Sequence, residues 1–504
     1  MLHDEGSPGA VDQDRGSTAA LIARLLVVLL GLVLLGALPD PAIAATPNPV
    51  VVGPVTGGTH GFPYMSSAVD LGEFGYVEEE YRVSGSATAY TSAAPLSADG
   101  AWTVTPDGSA PYATRILVRK PIDPRRFNGT VIVEWLNVTA GNDFTGDWFH
   151  TRYSLMRRGF AYVGVSAQYV GVQGSGPNSL VNWESGPEDR YASLSHPGDS
   201  FSYDIYSQVG QALRNPVGVD ALAGLDVERL LAEGLSQSAS RLVTYYNAVQ
   251  PSAGLFDGFL VHSRSGGAAA LRQGPPPAQA TIVAAPNPVR FRTDQPTPVL
   301  LVQTETDVIG YFGARQADSS TFRDWEIAGA AHADNFWQTE QAADSTKSNG
   351  SAFTIQCNLP INEGLTHHWV MEAAQVALDE WVASDAAPTS APRLQALAGP
   401  PVTLVRDSLG NVLGGIRLPD IQVPLMALSG TGNSGPPPLG GFCGLYGTTT
   451  PFSPATIASL YPSHGAYVSP YVRAARDALQ SGFLLPEAWR QLVAAAAQSD
   501  VGRR

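Results

Sequence analysis

Short apolar runs, separated by polar or glycine-rich turns, recur through the middle of this chain. They are Thr130-Val-Ile-Val-Glu-Trp-Leu, Phe160-Ala-Tyr-Val-Gly-Val-Ser, Leu230-Leu-Ala-Glu-Gly-Leu, Phe256-Asp-Gly-Phe-Leu-Val-His, Thr297-Pro-Val-Leu-Leu-Val-Gln and Phe322-Arg-Asp-Trp-Glu-Ile. Each is too short for a buried helix and lacks a polar face, so each predicts a strand covered on both sides, as in a parallel sheet. Upstream, residues 77–93 and 112–119 predict the antiparallel strands that open the sheet. Helical spacing appears between the runs: apolar residues at 242, 243, 246 and 249, and Trp369, Val370, Ala373 and Val376 within 366–383. A helix should also end at Arg157-Arg158, before Gly159. The fold class is therefore α/β, with a mostly parallel central sheet flanked by helices.

Two stretches break the rhythm. Residues 170–200 are rich in Gly, Ser and Pro and predict a long loop near the strand ends. Residues 384–504 begin with a proline-rich linker, continue through β-like stretches (Val402-Thr-Leu-Val and Val412-Leu-Gly-Gly-Ile-Arg-Leu), and turn helical from about 453. We divide the chain into a leader at 1–44, a core at 45–383, and a C-terminal α+β extension at 384–504. The extension's stripes (Ile457, Leu460, Tyr461; Tyr471, Ala474, Leu479) need a partner surface, so it should pack on the core.

The Leu230 run ends in Gly234-Leu-Ser-Gln-Ser238, followed by a helical pattern. A serine at the apex of a strand-to-helix turn is held in a strained conformation, and the residues two before and two after it must be small. Gly234 and Ser238 meet that demand, making Ser236 the candidate nucleophile. A serine hydroxyl needs a base, and the base needs an acid to orient it. Asp307 and Glu305 follow the Thr297 run and His332 follows the Phe322 run. Successive parallel strands share one carboxyl edge, so Ser236, Asp307 and His332 should converge despite separations of 71 and 25 residues. Strand alternation leaves Glu305 open as the alternative acid. Ser200 and Ser265 are rival serines: Ser200 has no preceding apolar strand, and Ser265 has Ser263 rather than glycine two positions before it.

With Glu134-Trp-Leu-Asn-Val, Gly234-Leu-Ser-Gln-Ser, Glu305-Thr-Asp, Trp325-Glu-Ile-Ala-Gly-Ala-Ala-His-Ala-Asp and Asn362-Glu-Gly-Leu-Thr-His-His-Trp in place, the chain resembles the α/β-hydrolase superfamily. In particular it is similar to a group of secreted bacterial alpha/beta hydrolase domain proteins, over most of residues 48–500. The resemblance implies a serine hydrolase using Ser236, His332 and Asp307, since the related Gly-Glu-x-Asp pattern places the acid at the later position. It also implies an oxyanion hole made by the amide of Gln237 and a residue near Asn137 or Val138.

Composition narrows the partners. The 504 residues carry a formal charge of -15 and no basic run, which argues against nucleic acid and anionic lipid surfaces. Arg24, the apolar run Leu25 to Leu38 and the triplet Ala42-Ile43-Ala44 predict a signal peptide cleaved near Ala44, hence a secreted or cell-envelope protein with no membrane span after cleavage. The chain holds two cysteines, Cys357 and Cys443, and an even pair in an exported protein suggests one disulfide, the alternative being two buried thiols. His262, Glu363, His367 and His368 invite a metal reading with Asp334. Adjacent His367 and His368 would point to different helix faces, however, so one at most could join, and neither metal nor cofactor is expected. The expected activity is cleavage of a small-molecule or lipid-like ester through an acyl-enzyme. The alternatives are amide cleavage or acyl transfer by the same groups, and a non-catalytic cell-envelope binding protein that retains the fold.

Overall fold

The apolar runs pair with one another as a parallel sheet requires. In a computed structural model, which describes residues 45–184 and 189–503, nine strands form one sheet: β1 (Val50–Val52), β2 (Tyr76–Thr91), β3 (Thr105–Pro121), β4 (Thr130–Trp135), β5 (Ala161–Val165), β6 (Arg229–Leu235), β7 (Gly258–His262), β8 (Val299–Thr304) and β9 (Phe322–Ile327). Their order is β1-β2-β3-β5-β4-β6-β7-β8-β9. The first three are antiparallel, β3 meets β5 antiparallel, and every later pairing is parallel. The predicted leader lies outside the described residues.

Helices cover both faces: α1 (Gly146–Arg158), α2 (Ser202–Arg214), α3 (Gln237–Thr244), α4 (Glu305–Tyr311), α5 (Asn335–Asn349), α6 (His367–Ser384), and in the extension α7 (His464–Gln480) and α8 (Pro486–Gln498). Alternation along each strand divides the core in two. Val131, Val133 and Trp135 of β4 pack with Tyr203 and Tyr206 of α2 and Leu242 of α3. Ile132 faces the other way, toward Trp148 and Phe149 of α1 and Met371 and Ala374 of α6. All residues of β4, β5, β7 and β8 are buried. Burying a Val, Ile or Leu side chain stabilises by about 2 kcal/mol, so the double-sided packing dominates the fold's energetics. Where composition predicts a loop from residue 170 onward, helical turns form at Tyr169–Gln173 and Leu180–Trp183.

The extension packs on this core. Ile416 bridges Ile327 at the end of β9, Phe483 meets Trp325 edge-on at 5.0 Å between ring centroids, and Arg406 reaches Glu305 at 2.7 Å. Cys357 and Cys443 form a disulfide that closes a separation of 86 residues. Closing a loop of that length stabilises by about 4 kcal/mol on the chain-entropy view. Within the extension, Tyr461, Tyr467 and Tyr471 form a satellite core with Val423.

Removing residues 385–504 uncovers Trp325 and Ile327 and strips Glu305 of its cation, so the truncated protein should be insoluble or inactive. Soluble yield and thermal melting measure this; a truncation as soluble and as stable as the full chain would show that the extension folds apart from the core.

Candidate active site

Strand β6 turns into α3 within a single residue. Ser236 has φ 60° and ψ -110°, in a region that L-residues visit only when their surroundings compel them. Its amide donates to the His262 carbonyl at the end of β7 (2.9 Å) and its carbonyl accepts from the Ser240 amide (3.2 Å). Space explains the flanking small residues. A methyl group on Gly234 would come within 3.0 Å of Leu242 and 3.2 Å of the Ser238 hydroxyl oxygen. Ser238 is fully buried and donates to the Leu235 carbonyl at 2.9 Å.

Asp307 and His332 lie past the carboxyl ends of β8 and β9, two and three strands from β6 along the same sheet edge. Their side chains meet, with His332 Nδ1 2.6 Å from Asp307 Oδ1. The second Asp307 oxygen accepts from the Thr304 hydroxyl (2.6 Å) and amide (3.1 Å), forming a capping box at the start of α4. Burial alone would raise the Asp307 carboxyl. The charge and hydrogen bond of His332 and the bond from Thr304 prevail and hold it well below the ordinary carboxylate range. For His332, burial disfavours the imidazolium, but the Asp307 carboxylate outweighs it, so the pKa sits above the usual histidine value.

Glu305, the alternative acid, faces elsewhere. Its carboxylate accepts from the amides of Gly329 (2.8 Å) and Gly430 (3.1 Å) and from Arg406 (2.7 Å). Among the rival serines, the Ser200 hydroxyl is engaged with the Gln273 carbonyl and amide, both at 2.8 Å. Ser265 is exposed on the loop beyond β7.

The turn after β4 runs beside the elbow. Asn137 is locked in place: its amide donates to the Phe144 carbonyl (3.2 Å) and its side chain to the Leu235 carbonyl (2.8 Å). Its amide is thus already committed. The Val138 amide instead faces the Gln237 side-chain oxygen at a long 3.4 Å. Gln237 is held in turn by reciprocal bonds to Gln168 (2.6 and 3.0 Å), and Gln168 by Arg241, which pairs with Asp199 at 2.6 Å.

Sequence reasoning picked out His262, His367 and Asp334 but missed Asp147 and His150, which complete a polar cluster on the inner side of the elbow. His262 Nδ1 lies 2.6 Å from Asp147 Oδ1, and its Nε2 lies 2.7 Å from His367 Nε2. His367 Nδ1 faces Asp334 Oδ2 at 3.3 Å, and the His150 ring centroid is 4.4 Å from that of His367. Burial pushes the His262 pKa down to about 3 and lowers those of His150 and His367. It raises those of Glu134, Asp147 and Glu233 nearby. His368 points away, bonded to the Gly364 carbonyl (2.9 Å) and stacked on Phe336, and Glu363 is exposed. Asp147 and His150 lie on α1, whose sequence carried no signal of their role. Their spacing of one helical turn becomes informative only once the helix start is known.

A family model described as "Alpha/beta hydrolase domain" matches residues 51–494. No curated protein matches the chain. Solved structures with local likeness include a methylesterase (BT1017), at 12% identity over 50% of this chain and 50% of that one, with a TM-score of 0.26. The chain thus spans half the length of that protein. A serine hydrolase without a lid from Xanthomonas campestris is 11% identical over 53% of this chain and 93% of its own, with a TM-score of 0.27. A glucuronoyl esterase from Teredinibacter turnerae is 12% identical over 68% and 79%, with a TM-score of 0.28. At such scores these likenesses carry no argument about substrate.

Because Ser236 holds a backbone conformation suited to glycine, Ser236→Gly should raise stability by about 1 kcal/mol. Chemical denaturation of the two proteins measures this. A destabilised glycine variant would show that the turn is not strained.

Proposed function

The chain belongs to the alpha/beta hydrolase domain family, and we propose that it is an exported serine hydrolase that cleaves carboxylic esters of small molecules. One observation carries this reading. A strained serine stands at a strand-to-helix turn on the same sheet edge as a His332–Asp307 pair bonded at 2.6 Å.

Chemistry follows from these atoms. With Nδ1–H donated to Asp307, His332 keeps the lone pair on Nε2, the form able to take the Ser236 proton. Ser236 Oγ attacks the ester carbonyl carbon, and the proton held by His332 then passes to the departing alcohol. The acyl-enzyme is released by water, activated through the same imidazole. Negative charge on the tetrahedral oxygen is met by the amide of Gln237, at the N-terminus of α3, and by the amide of Val138 once it leaves the Gln237 side chain. Asn137, with its amide committed to Phe144, serves as the brace between the two turns. Export is supported by the Leu25 to Leu38 run with Ala42-Ile43-Ala44, and by a disulfide, which suits an oxidising compartment. Among the described residues no helix is long and apolar enough to cross a membrane.

Ser236→Ala should lower turnover of p-nitrophenyl esters on the order of a millionfold and abolish fluorophosphonate labelling, with the fold kept. Retained hydrolysis in the folded variant would move the nucleophile elsewhere. Asp307→Asn should cost on the order of ten-thousandfold, and Glu305→Gln much less at equal folded concentration; the opposite ranking would transfer the acid's role to Glu305.

The acid limb of kcat/KM follows from the sign of the His332 shift. The neutral imidazole is the active form, and a raised pKa means that protonation begins at higher pH, so the limb's midpoint should lie above the ordinary histidine value of about 6.5. Asp307→Asn removes the carboxylate that raises it and should move the residual midpoint downward. A rate unchanged between pH 8 and pH 5 would exclude a histidine base.

A further inference from the structure

The cluster of His150, His262, His367, Asp147 and Asp334 makes no bond and moves no proton in the hydrolytic scheme, yet it is almost entirely sealed from water. His262, His367 and Asp334 are 0% exposed, Asp147 1% and His150 2%. Buried polar atoms are nearly always paired, because an unpaired one forfeits its hydration without return. Here several are not. Neither ring nitrogen of His150 makes a hydrogen bond of good geometry among the described residues, although the Gly146 carbonyl lies close to the ring, and Nδ1 of His367 and Oδ2 of Asp334 face each other at 3.3 Å without one.

These orphans converge. One ligand atom from each of His150, Asp334 and His367 falls within 4.8 Å of the other two, and the Asp334 Oδ2 to His367 Nδ1 distance is 3.3 Å. Tetrahedral ligands at zinc-like bond lengths of about 2.0–2.1 Å stand about 3.3 Å apart. We infer that His150, His367 and Asp334 hold a divalent transition-metal ion of the zinc class, in a buried site one imidazole removed from the Ser236 elbow.

Three features of the surroundings fit an ion. The first is tautomer consistency. If His367 Nδ1 gives its lone pair to the metal, its Nε2 carries hydrogen and donates to His262 Nε2 at 2.7 Å, and His262 Nδ1–H then donates to Asp147 at 2.6 Å. A metal-bound imidazole whose far N–H is held through a carboxylate relay is the usual outer support of such sites. Asp334 is fixed too, since its other oxygen caps α5 through the Trp337 amide at 2.8 Å. The second feature is charge. Asp334 makes no salt bridge to Lys or Arg among the described residues and faces only the His367 ring, so a dication would supply the positive charge that this buried carboxylate lacks. The third is access by backbone. Gly364, with φ +73°, lets the chain run against Asp334, where an added methyl group would lie 2.6 Å from its Oδ1.

Two imidazoles and a carboxylate form a donor set for zinc or its neighbours rather than for calcium or magnesium. The ion would lock α1, α6 and the loop after β9 together behind the elbow, a structural task independent of which residues perform hydrolysis.

The full-length protein, purified without chelator from zinc-supplemented medium and gel-filtered, should contain about one equivalent of metal per chain by plasma mass spectrometry. Replacement by Co2+ should give visible d–d absorption. Asp334→Asn, which preserves the α5 cap, and His150→Phe, which fills the space, should each hold less than about a tenth of an equivalent, whereas Ser236→Ala should keep the full amount. Wild-type protein with less than about a tenth of an equivalent and no cobalt spectrum would overturn the site and leave a hydrogen-bonded histidine relay. Full metal content in both ligand variants would overturn the ligand assignment. Both readouts on the wild type stand even if a variant fails to fold.

Discussion

The structure depends on one backbone constraint, the reversal from β6 into α3 at Ser236. A residue held at φ 60° without being glycine costs on the order of 1–3 kcal/mol, and it persists only because its neighbours leave the chain no other route. Those neighbours are the His262 carbonyl that takes the Ser236 amide, the Asn137 side chain that holds the Leu235 carbonyl, and the Leu242 side chain, which leaves no room for a side chain at Gly234. The first two come from the ends of other strands, β7 and β4. The sheet must therefore be assembled, with both faces buried, before the elbow can exist.

That requirement explains why so much polarity lies under the elbow. Glu134 sits on β4 yet accepts from the amides of Asp147 (3.1 Å) and Trp148 (3.3 Å) at the start of α1 and from the Tyr162 hydroxyl at 2.7 Å. It satisfies the orphan donors of a helix whose N-terminus points into the core. By aiming α1 inward it also delivers Asp147 and His150 to a place where no solvent can reach them. Asp147 in turn helps raise the pKa of His332, so the buried acids and the His332–Asp307 pair belong to one electrostatic system.

Much of this was legible in the sequence, for definite reasons. The parallel strands announced themselves because double-sided burial leaves uninterrupted apolar runs, and the elbow did because its steric demand reaches two residues in each direction. Helix α5 did not, since Asn335 to Asn349 reads Asn-Phe-Trp-Gln-Thr-Glu-Gln-Ala-Ala-Asp-Ser-Thr-Lys-Ser-Asn, nearly polar throughout. It is held instead by its Asp334 cap, and its Asp344 accepts from the Ala68 amide at 2.7 Å. Helix α2 was also silent, because Gln208 and Asp204 are buried through bonds to β2 rather than excluded from the core. The histidine cluster was legible only in part, for a different reason. His262, His367 and Asp334 stood out as donor types, but its members lie on α1, β7, the loop after β9 and α6, and nothing local joins them to His150 and Asp147 until the topology does.

The two acids of α4 show how position within one turn divides labour. Thr304 marks the helix start, so Asp307 falls at the third helical residue, where its carboxylate folds back on Thr304 and still presents an oxygen to His332. Glu305, two residues earlier, leaves the helix toward the extension, and its longer side chain meets Arg406 and the Gly430 amide. One carboxylate is thus spent on the sheet edge and the other on holding the C-terminal segment against it. Exchanging their roles would require rotating the helix start by more than half a turn, against the Thr304 cap. The extension is consequently tied to the same four-residue turn that positions His332, and the two parts of the chain share a structural hinge point rather than a linker.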